Sequence, residues 1–392
     1  MRINIFNGAG QVDYLYGLVS GLAQFEEDTI DVLDADLTRH LFVPFRNVRY
    51  HAVFNKIPRD ADFRTKARNS VRFYSLQIGH LLRSKRGIVH FQWLDRFILV
   101  DRIFLPLLAR IKGHKVVVTV HNINAGKRDN RDSWLNRFSL ATLYRLSSHL
   151  IVHTEQSKAE LLHEFPINPG KVSVIKHGMN NRVFQQGLST AEARKNLGLK
   201  QNHKVILFFG NIDSYKGLDL LIDSLEHLNP DIQTDVRLVI AGNSKVAAYT
   251  QSIKSAIEAS RFSEQISSRI EHIPDDEVEQ YFMAADCIVL PYRNIYQSGV
   301  IFMAYTFGLP IIVSDIGNFR NDMVIGKTGL LLNDNTPEEI GKEISAYFGS
   351  HLYLNLPETR KQIKDWAWDN YSWISIGQET RKLYQSLLYR EN

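Results

Sequence analysis

The sequence predicts an α/β protein made of two doubly wound, Rossmann-like parallel-sheet domains. Three observations carry that expectation. Short apolar runs recur along all 392 residues and are nearly continuous rather than alternating, as in strands buried on both faces. Segments of helical length separate them, such as Leu218–Leu228 and Val246–Arg261, whose apolar spacing suits amphipathic crossover helices. The length holds roughly two or three domains of ordinary size.

In chain order, the first set of strands is expected at Ile3–Phe6, Ile88–Phe91, Val116–Val120, Leu150–Val152 and Val172–Ile175. The second set is expected at Val205–Phe209, Val236–Ala241, Ile270–Ile273, Cys287–Leu290, Ile311–Val313 and Gly329–Leu332. Between the sets, residues 176–204 are polar, contain Gly178, Gly187 and Gly198, and carry no strand signal. The expected organisation is an N-terminal domain at 1–185, a C-terminal domain at 186–357 and helices at 358–392. That tail holds Trp366, Trp368, Tyr371 and Trp373, aromatics that a docked helix would bury. Tandem domains of this kind bind ligands in the cleft between them, outside the carboxyl ends of the strands. The loops that follow strands are therefore where chemistry is sought.

Composition narrows the class. One cysteine, Cys287, excludes a disulfide framework and any multi-cysteine metal site. The start, MRINIF, lacks the apolar run of a signal peptide. The most apolar later stretch, Phe97–Ile111, is broken by Asp101, Arg102 and Arg110 and is shorter than the roughly 20 residues of a membrane span. A cytoplasmic protein is expected. The formal charge is +5, with pI near 9.0, but it is concentrated. From Arg39 to Arg86 twelve Lys/Arg face two acids, a local +10 that leaves −5 for the remaining chain. Within that stretch, Arg64–Arg86 places Val71, Tyr74, Ile78, Leu81 and Leu82 on one side. Two readings stand: a helix lying on an anionic membrane, or a helix packing those residues inward with its arginines in solvent. No nucleic-acid recognition motif accompanies the charge, so nucleic acid is not an expected partner.

Four loops follow predicted strands. Asn7-Gly8-Ala9-Gly10 precedes a helical pattern at Gln11–Phe25, and its glycines fit either close approach by a ligand phosphate or a tight turn. It is not a dinucleotide fingerprint, because Asp13 occupies the third glycine position. His121-Asn122 ends the VVVTV strand, where a histidine either hydrogen-bonds a ligand or caps the core. His153 and His177, also at strand ends, are read as core or capping residues. The segment FFGNIDSYKG (208–217) offers Gly210 for close approach and Lys216 at the start of a helix, where an ammonium and free amides can share one phosphate. In CIVLPYRNIYQSGVIFMAYTFGLPIIVSD (287–315), Ser298 is an N-cap candidate and Gly299 and Val300 expose amides at a helix start, the makings of a diphosphate cradle. Arg293, in the same loop, is a candidate second cation. Asp34-Ala-Asp36 and Asp60-Ala-Asp62 are D-x-D strings of the kind that hold Mg²⁺ or Mn²⁺, but neither follows a predicted strand. No metal site is expected.

Together these motifs resemble the GT-B glycosyltransferases of family 4, the retaining, nucleotide-sugar-dependent class. The likeness runs nearly end to end: Gly10, His121-Asn122, VHTEQSKAEL (152–161), VIKHG (174–178), GNIDSYKG, AGNS (241–244), QSGVIFMAYTFGLPIIVSD and YSWISIGQETRKLY (371–384). It implies a GT-B fold whose two domains face a cleft, with the last helix crossing back to the N-terminal domain. It implies that Lys216 and the Ser298–Gly299 amides bind the donor diphosphate, that Asn211 and Gln297 stand in the same donor loops, and that His121 contacts the donor sugar. Gly10 would close over the phosphates. The acceptor hydroxyl would attack from the face the leaving group departs, without a protein nucleophile and without a metal cofactor. The implied acceptor is a glycan, commonly lipid-linked, in surface polysaccharide assembly on the inner face of the plasma membrane.

Two departures qualify the likeness. The paired glutamates spaced eight apart in many relatives fall at Ile295 and Met303, so a ribose contact has to come from elsewhere, with Tyr292 the candidate. The arginine common after the phosphate-loop glycine is Asn211, and Asp213 follows, which leaves Arg293 as the substitute cation. A non-catalytic sugar-nucleotide-binding or partner protein and a sugar-nucleotide epimerase of the same fold are the competing readings.

Overall fold

The computed structural model describes residues 1–8, 11–54, 62–94, 97–124, 132–181, 186–295 and 297–389. It forms two compact units, Met1–Gly178 with Tyr371–Asn392, and Met179–Asn370. The chain passes between them at 178/179 and 370/371, where 185/186 and 357/358 were expected.

Among the described residues, the first unit holds seven parallel strands in the order β3-β2-β1-β4-β5-β6-β7. They are β1 (Arg2–Phe6), β2 (Thr29–Ala35), β3 (Val48–Phe54), β4 (Ile88–Phe91), β5 (Lys115–Thr119), β6 (His149–Val152) and β7 (Val172–Val174). Alternate residues feed opposite cores: Val89, Phe91, Val116, Val118, Leu150 and Val152 pack on one face. Ile3, Ile5, Ile88, Val117 and Ile151 pack on the other. Both faces are thus covered, which is why these strands read as unbroken apolar runs.

β2 and β3 were not expected from the sequence. Asp31 and Asp34 interrupt the apolar run of β2, yet both are buried. Asp31 is accommodated by His51, 2.8 Å away on the adjoining β3, and by Arg49 at 3.3 Å. β3 ends the strand order, so its outer residues are polar and half-exposed.

The second unit holds six parallel strands among its described residues, in the order β10-β9-β8-β11-β12-β13. These are β8 (Lys204–Phe209), β9 (Val236–Ala241), β10 (Ile266–Arg269), β11 (Cys287–Leu290), β12 (Ile311–Ser314) and β13 (Gly329–Leu332). The strand expected at Ile270–Ile273 lies four residues earlier. β10 is an edge strand with exposed serines at 267 and 268, so backbone pairing to Leu238–Ala241 outweighs the apolar pattern nearby. A buried pair anchors this unit: Arg194 Nη2 donates to both Asp286 carboxylate oxygens at 2.8 and 2.9 Å, and Asp286 also accepts the Val205 amide at 2.7 Å.

The aromatic tail divides between the units. The helix Leu356–Tyr371 belongs to the second, where Trp366 meets Tyr305 edge-on at 5.3 Å and Arg360 donates to the Phe307 carbonyl at 3.0 Å. The return to the first unit begins only at Tyr371. The last helix, Trp373–Tyr389, lies against the first, Val12–Ala23, and buries Trp373, Ile376 and Tyr384. Glycines make the contact possible, since a Cβ at Gly21 would lie 2.0 Å from the Trp373 carbonyl oxygen. Changing Gly21 to Ala should therefore destabilise the first unit by about 1–3 kcal/mol. Gly349→Ala, where an added Cβ meets nothing, serves as the control in urea unfolding. Equal midpoints for the two variants would show that the two helices do not depend on this close approach.

Candidate functional site

In each sheet the strand order reverses once, between β1 and β4 in the first and between β8 and β11 in the second. Loops leaving such neighbours diverge and open a crevice at their carboxyl ends. In the second unit those loops are 210–217 and 291–300. Gly210 takes φ +108° and Gly242, after β9, takes φ +150°. A Cβ on Gly242 would stand 1.8 Å from the Gly210 carbonyl oxygen, so only glycine lets the two loops meet. Gly217 (φ +66°) is equally constrained, its Cβ position lying 2.1 Å from the Pro291 carbonyl oxygen.

Lys216 closes a 3₁₀ turn, Ser214–Lys216, and the helix starts two residues later at Leu218 rather than at the lysine. Its side chain is buried, with 6% exposure. Nζ lies 5.0 Å from the centre of the Tyr292 ring and 3.6 Å from where a Gly210 Cβ would be. Among the described residues no carboxylate pairs with it. The Gly210 Cβ position is also 3.1 Å from a methyl of Val300. Gly210, Lys216, Tyr292 and Val300 therefore converge.

The helix Gly299–Thr306 begins beside this point. Ser298 is its N-cap residue and is buried, but its hydroxyl makes no capping bond, contrary to the role expected for it. The amides of the first turn thus lack the usual side-chain acceptor. Gly299 is exposed, and a Cβ there would meet nothing within 4 Å, so the helix start opens to space. Gln297 donates to Asp322 at 3.3 Å. Asn211 is half-exposed immediately after Gly210.

Two expected roles change. Tyr292 is completely buried beneath Lys216, so it has no exposed surface for the ribose contact expected of it, and its hydroxyl has no hydrogen-bond partner among the described residues. Arg293 is not a spare cation: its fork closes on Asp219 at 2.8 and 2.5 Å and also donates to the Ser214 carbonyl. Asp219, Gly217 and Gly242 are the residues that sequence reasoning did not single out. The glycines were present in the GNIDSYKG and AGNS motifs, but Asp219 gives no signal until the helix that bears it is folded beside residue 293.

In the first unit Gly8 follows β1 with φ +61°, and a Cβ there would lie 2.6 Å from the Trp93 carbonyl oxygen, after β4. Gly10 lies outside the described residues. His121 stacks on Trp93, centroids 4.6 Å apart and 4° from parallel, and meets Tyr14 edge-on at 4.6 Å. His153 lies 3.2 Å from its Nδ1 and in turn reaches the Ile175 carbonyl at 2.9 Å. Burial, reinforced by the neighbouring histidines His153, His177 and His90, holds the His121 pKa well below the ordinary value. With both rings neutral, His153 donates Nδ1–H to the Ile175 carbonyl, which leaves its Nε2 as an acceptor toward His121. The neutral His121 ring has one proton for two neighbours, His153 Nε2 at its Nδ1 and the Gln92 side-chain oxygen, 3.3 Å from its Nε2. A cavity of about 60 Å³ lined by Gln92, Trp93, Arg102, Thr119, His121 and Asn122 adjoins it, room for water rather than a sugar. His153 is buried and His177 half-buried, and both pack against Tyr14.

Among the described residues no cluster of three His, Cys, Asp or Glu has metal-binding geometry. Asp34 is buried within β2 and accepts from Thr38, Asp62 caps the helix Phe63–Arg83 by accepting the Thr65 amide, and Asp60 lies outside the described residues. On that helix the expected apolar face is divided. Leu81 is buried, with Tyr74 and Ile78 against the core, whereas Val71 and Leu82 are exposed.

Comparison with known proteins places this architecture. The profile described as Glycosyltransferase Family 4 matches residues 9–182, and that described as Glycosyl transferases group 1 matches residues 203–349. The fold is GT-B: *Anabaena* Alr3699/HepE, solved in complex with UDP, superposes with a TM-score of 0.73 at 14% identity, covering 98% of this chain and all of that one. WaaG, a glycosyltransferase involved in lipopolysaccharide biosynthesis, superposes at 0.65 with 14% identity, covering 98% and 99%. The chain belongs to the family 4 glycosyltransferases. Similar proteins include the D-inositol 3-phosphate glycosyltransferases of *Corynebacterium diphtheriae*, 28% identical over 68% of this chain, and of *Corynebacterium glutamicum*, 24% identical over 71%. The matches span 63% and 68% of those two relatives' own lengths. Among the described residues no helix is long and apolar enough to cross a membrane.

The buried histidines give a pH dependence with a definite sign. Burial above all lowers His90 and His153 to about 3, with His153 and His177 respectively adding charge repulsion. An unfolded histidine titrates near 6.5. Between these values the unfolded chain binds protons that the folded one refuses, so stability is full above about pH 6.5 and falls as the pH drops toward 3. Each histidine contributes a slope of about 1.4 kcal/mol per pH unit. Urea unfolding at pH 7.5 and 5.5 should show a loss of about 2–3 kcal/mol, reduced in His90→Gln; a pH-independent midpoint would contradict the burial of these rings.

Proposed function

We propose that this chain is a retaining glycosyltransferase that moves a sugar from a nucleotide-sugar donor to a glycan acceptor, lipid-linked, in surface polysaccharide synthesis. The single observation that carries the donor half is the convergence of the Lys216 amine, without a carboxylate partner among the described residues, on Gly210 and the uncapped helix start at 298–300. A bound diphosphate would supply the counter-charge that this amine lacks and accept from the free amides of the helix start. The same groups then favour departure of the nucleoside diphosphate, because they gain strength as its charge develops. Lysine and helix amides supply the positive potential, so no metal cofactor is required. A neutral His121 serves as a hydrogen-bonding partner for a sugar hydroxyl rather than as a cationic general acid. The UDP complex of HepE, a protein of the same fold, supports a nucleoside diphosphate as the ligand class.

Titration with UDP, ADP and GDP, read by thermal shift, should stabilise the wild type with at least one of them. Lys216→Ala should remove that shift and lower kcat by about 10²–10³-fold. Conversion of the donor with no acceptor present would favour an epimerase, and binding without turnover over any donor would favour a non-catalytic role.

The relatives' names favour a second acceptor class, a phosphorylated polyol such as inositol 3-phosphate. Transfer to that small acceptor but not to lipid-linked glycan would replace the polysaccharide reading.

A peripheral membrane position on the cytoplasmic side is part of the proposal. The helix Phe63–Arg83 exposes Phe63, Val71, Leu76 and Leu82 among Arg64, Lys66, Arg68, Arg72 and Arg83. Each basic residue near an anionic bilayer is worth about 1 kcal/mol. Replacing Arg64, Arg68 and Arg72 by Glu should cut co-sedimentation with phosphatidylglycerol-containing vesicles more than tenfold, and binding that ignores both the charges and added salt would exclude this helix as the contact.

A further inference from the structure

The turn that carries Lys216 is tied to the loop after β11 on both sides of the lysine. The Arg293 amide donates to the Tyr215 carbonyl at 2.7 Å, and its Nη1 donates to the Ser214 carbonyl at 2.7 Å. Its fork then closes on Asp219, in the first turn of the following helix, at 2.8 and 2.5 Å. Asp219 is steadied from a third element, accepting from the Tyr249 hydroxyl at 3.1 Å. On the same loop Pro291 abuts Gly217 and Tyr292 lies beneath the lysine amine. Residues 291–293 thus reach 214, 215, 216, 217 and 219. A three-residue 3₁₀ turn has too few bonds of its own to hold one shape. Its geometry is imposed from outside, and the only charged group imposing it within this loop is Arg293.

We propose that the Arg293–Asp219 pair is a positioning latch for Lys216: it fixes the Ser214–Gly217 turn so that the amine stands at Gly210, and Arg293 does not itself bind the donor phosphates. This rests on the reading of the Lys216 site as a diphosphate site. The pair is about 38–39% exposed, so it adds little to global stability. Its effect is local, because a misplacement of about 1 Å at a phosphate-binding amine costs far more than the pair's own energy. The latch and the direct-ligand alternatives differ in sign. If Arg293 bound phosphate, Asp219 would compete for it, and removing Asp219 would tighten binding. If Arg293 is a latch, removing either partner frees the turn equally.

Calorimetric titration with UDP, ADP and GDP separates them, using the wild type, Arg293→Ala, Asp219→Ala, the double variant and Lys216→Ala, with unfolding temperatures recorded alongside. For whichever diphosphate the wild type binds, both single variants should weaken affinity about tenfold or more, and the double variant should be no weaker than the worse single. Unfolding temperatures should move little. Tighter or unchanged binding in Asp219→Ala with a loss in Arg293→Ala makes Arg293 a phosphate ligand and overturns the latch. So do additive losses in the double variant, or lowered unfolding temperatures with affinity intact. If Lys216→Ala binds as well as the wild type, or the wild type binds no diphosphate, the donor-site reading itself falls and the latch falls with it.

Discussion

Where β8 and β11 lie side by side, the chain leaves the sheet in opposite directions, and everything proposed for the second unit depends on that reversal. Parallel strands deliver their carboxyl ends to one edge of the sheet. At most positions the following loop crosses its neighbour and fills the space. At the reversal it cannot, so a crevice remains, and its walls are the loops 210–217 and 291–300. Glycines then set how close those walls come. Gly242 meets the Gly210 carbonyl and Gly217 meets the Pro291 carbonyl at distances that exclude a Cβ.

Electrostatics follow from this geometry. Lys216 lies over an aromatic ring beside a helix start whose first amides have no capping hydroxyl. Each feature alone is ordinary. Together they concentrate positive potential where the backbone leaves room, which is the arrangement an anion of diphosphate type requires. The acidic residue that could have neutralised the site, Asp219, is occupied by Arg293. The first unit differs in kind. Its histidines pack on one another, are linked by hydrogen bonds and are neutral, so it offers neutral hydrogen-bonding groups rather than charge.

The last helix shows how one contact decides where a segment belongs. The tail is continuous in its helical pattern, and its aromatics look alike in sequence. Trp366 has Tyr305 as its neighbour, and Arg360 finds carbonyls at the end of a second-unit helix, so the segment to Asn370 stays there. Trp373 instead meets Gly17, Gly21 and Gly178, three positions without side chains, and only the first unit supplies that recess.

Strand periodicity, the polar break between the two sets and the glycine, lysine and Ser-Gly-Val motifs are local properties, and the sequence alone determined them. They settle the α/β class, most strands, and the loops that carry Gly210, Lys216 and 298–300. The sequence did not show β2, because two aspartates in a strand look unfavourable until His51 and Arg49 are placed beside them. Nor did it place β10, whose pairing comes from the neighbouring β9 rather than from its own apolar content. The roles of Tyr292 and Arg293 were decided by tertiary structure for the same reason. Burial and ion-pair partners depend on which distant segments meet, and a residue's type and spacing contain no record of what folds against it.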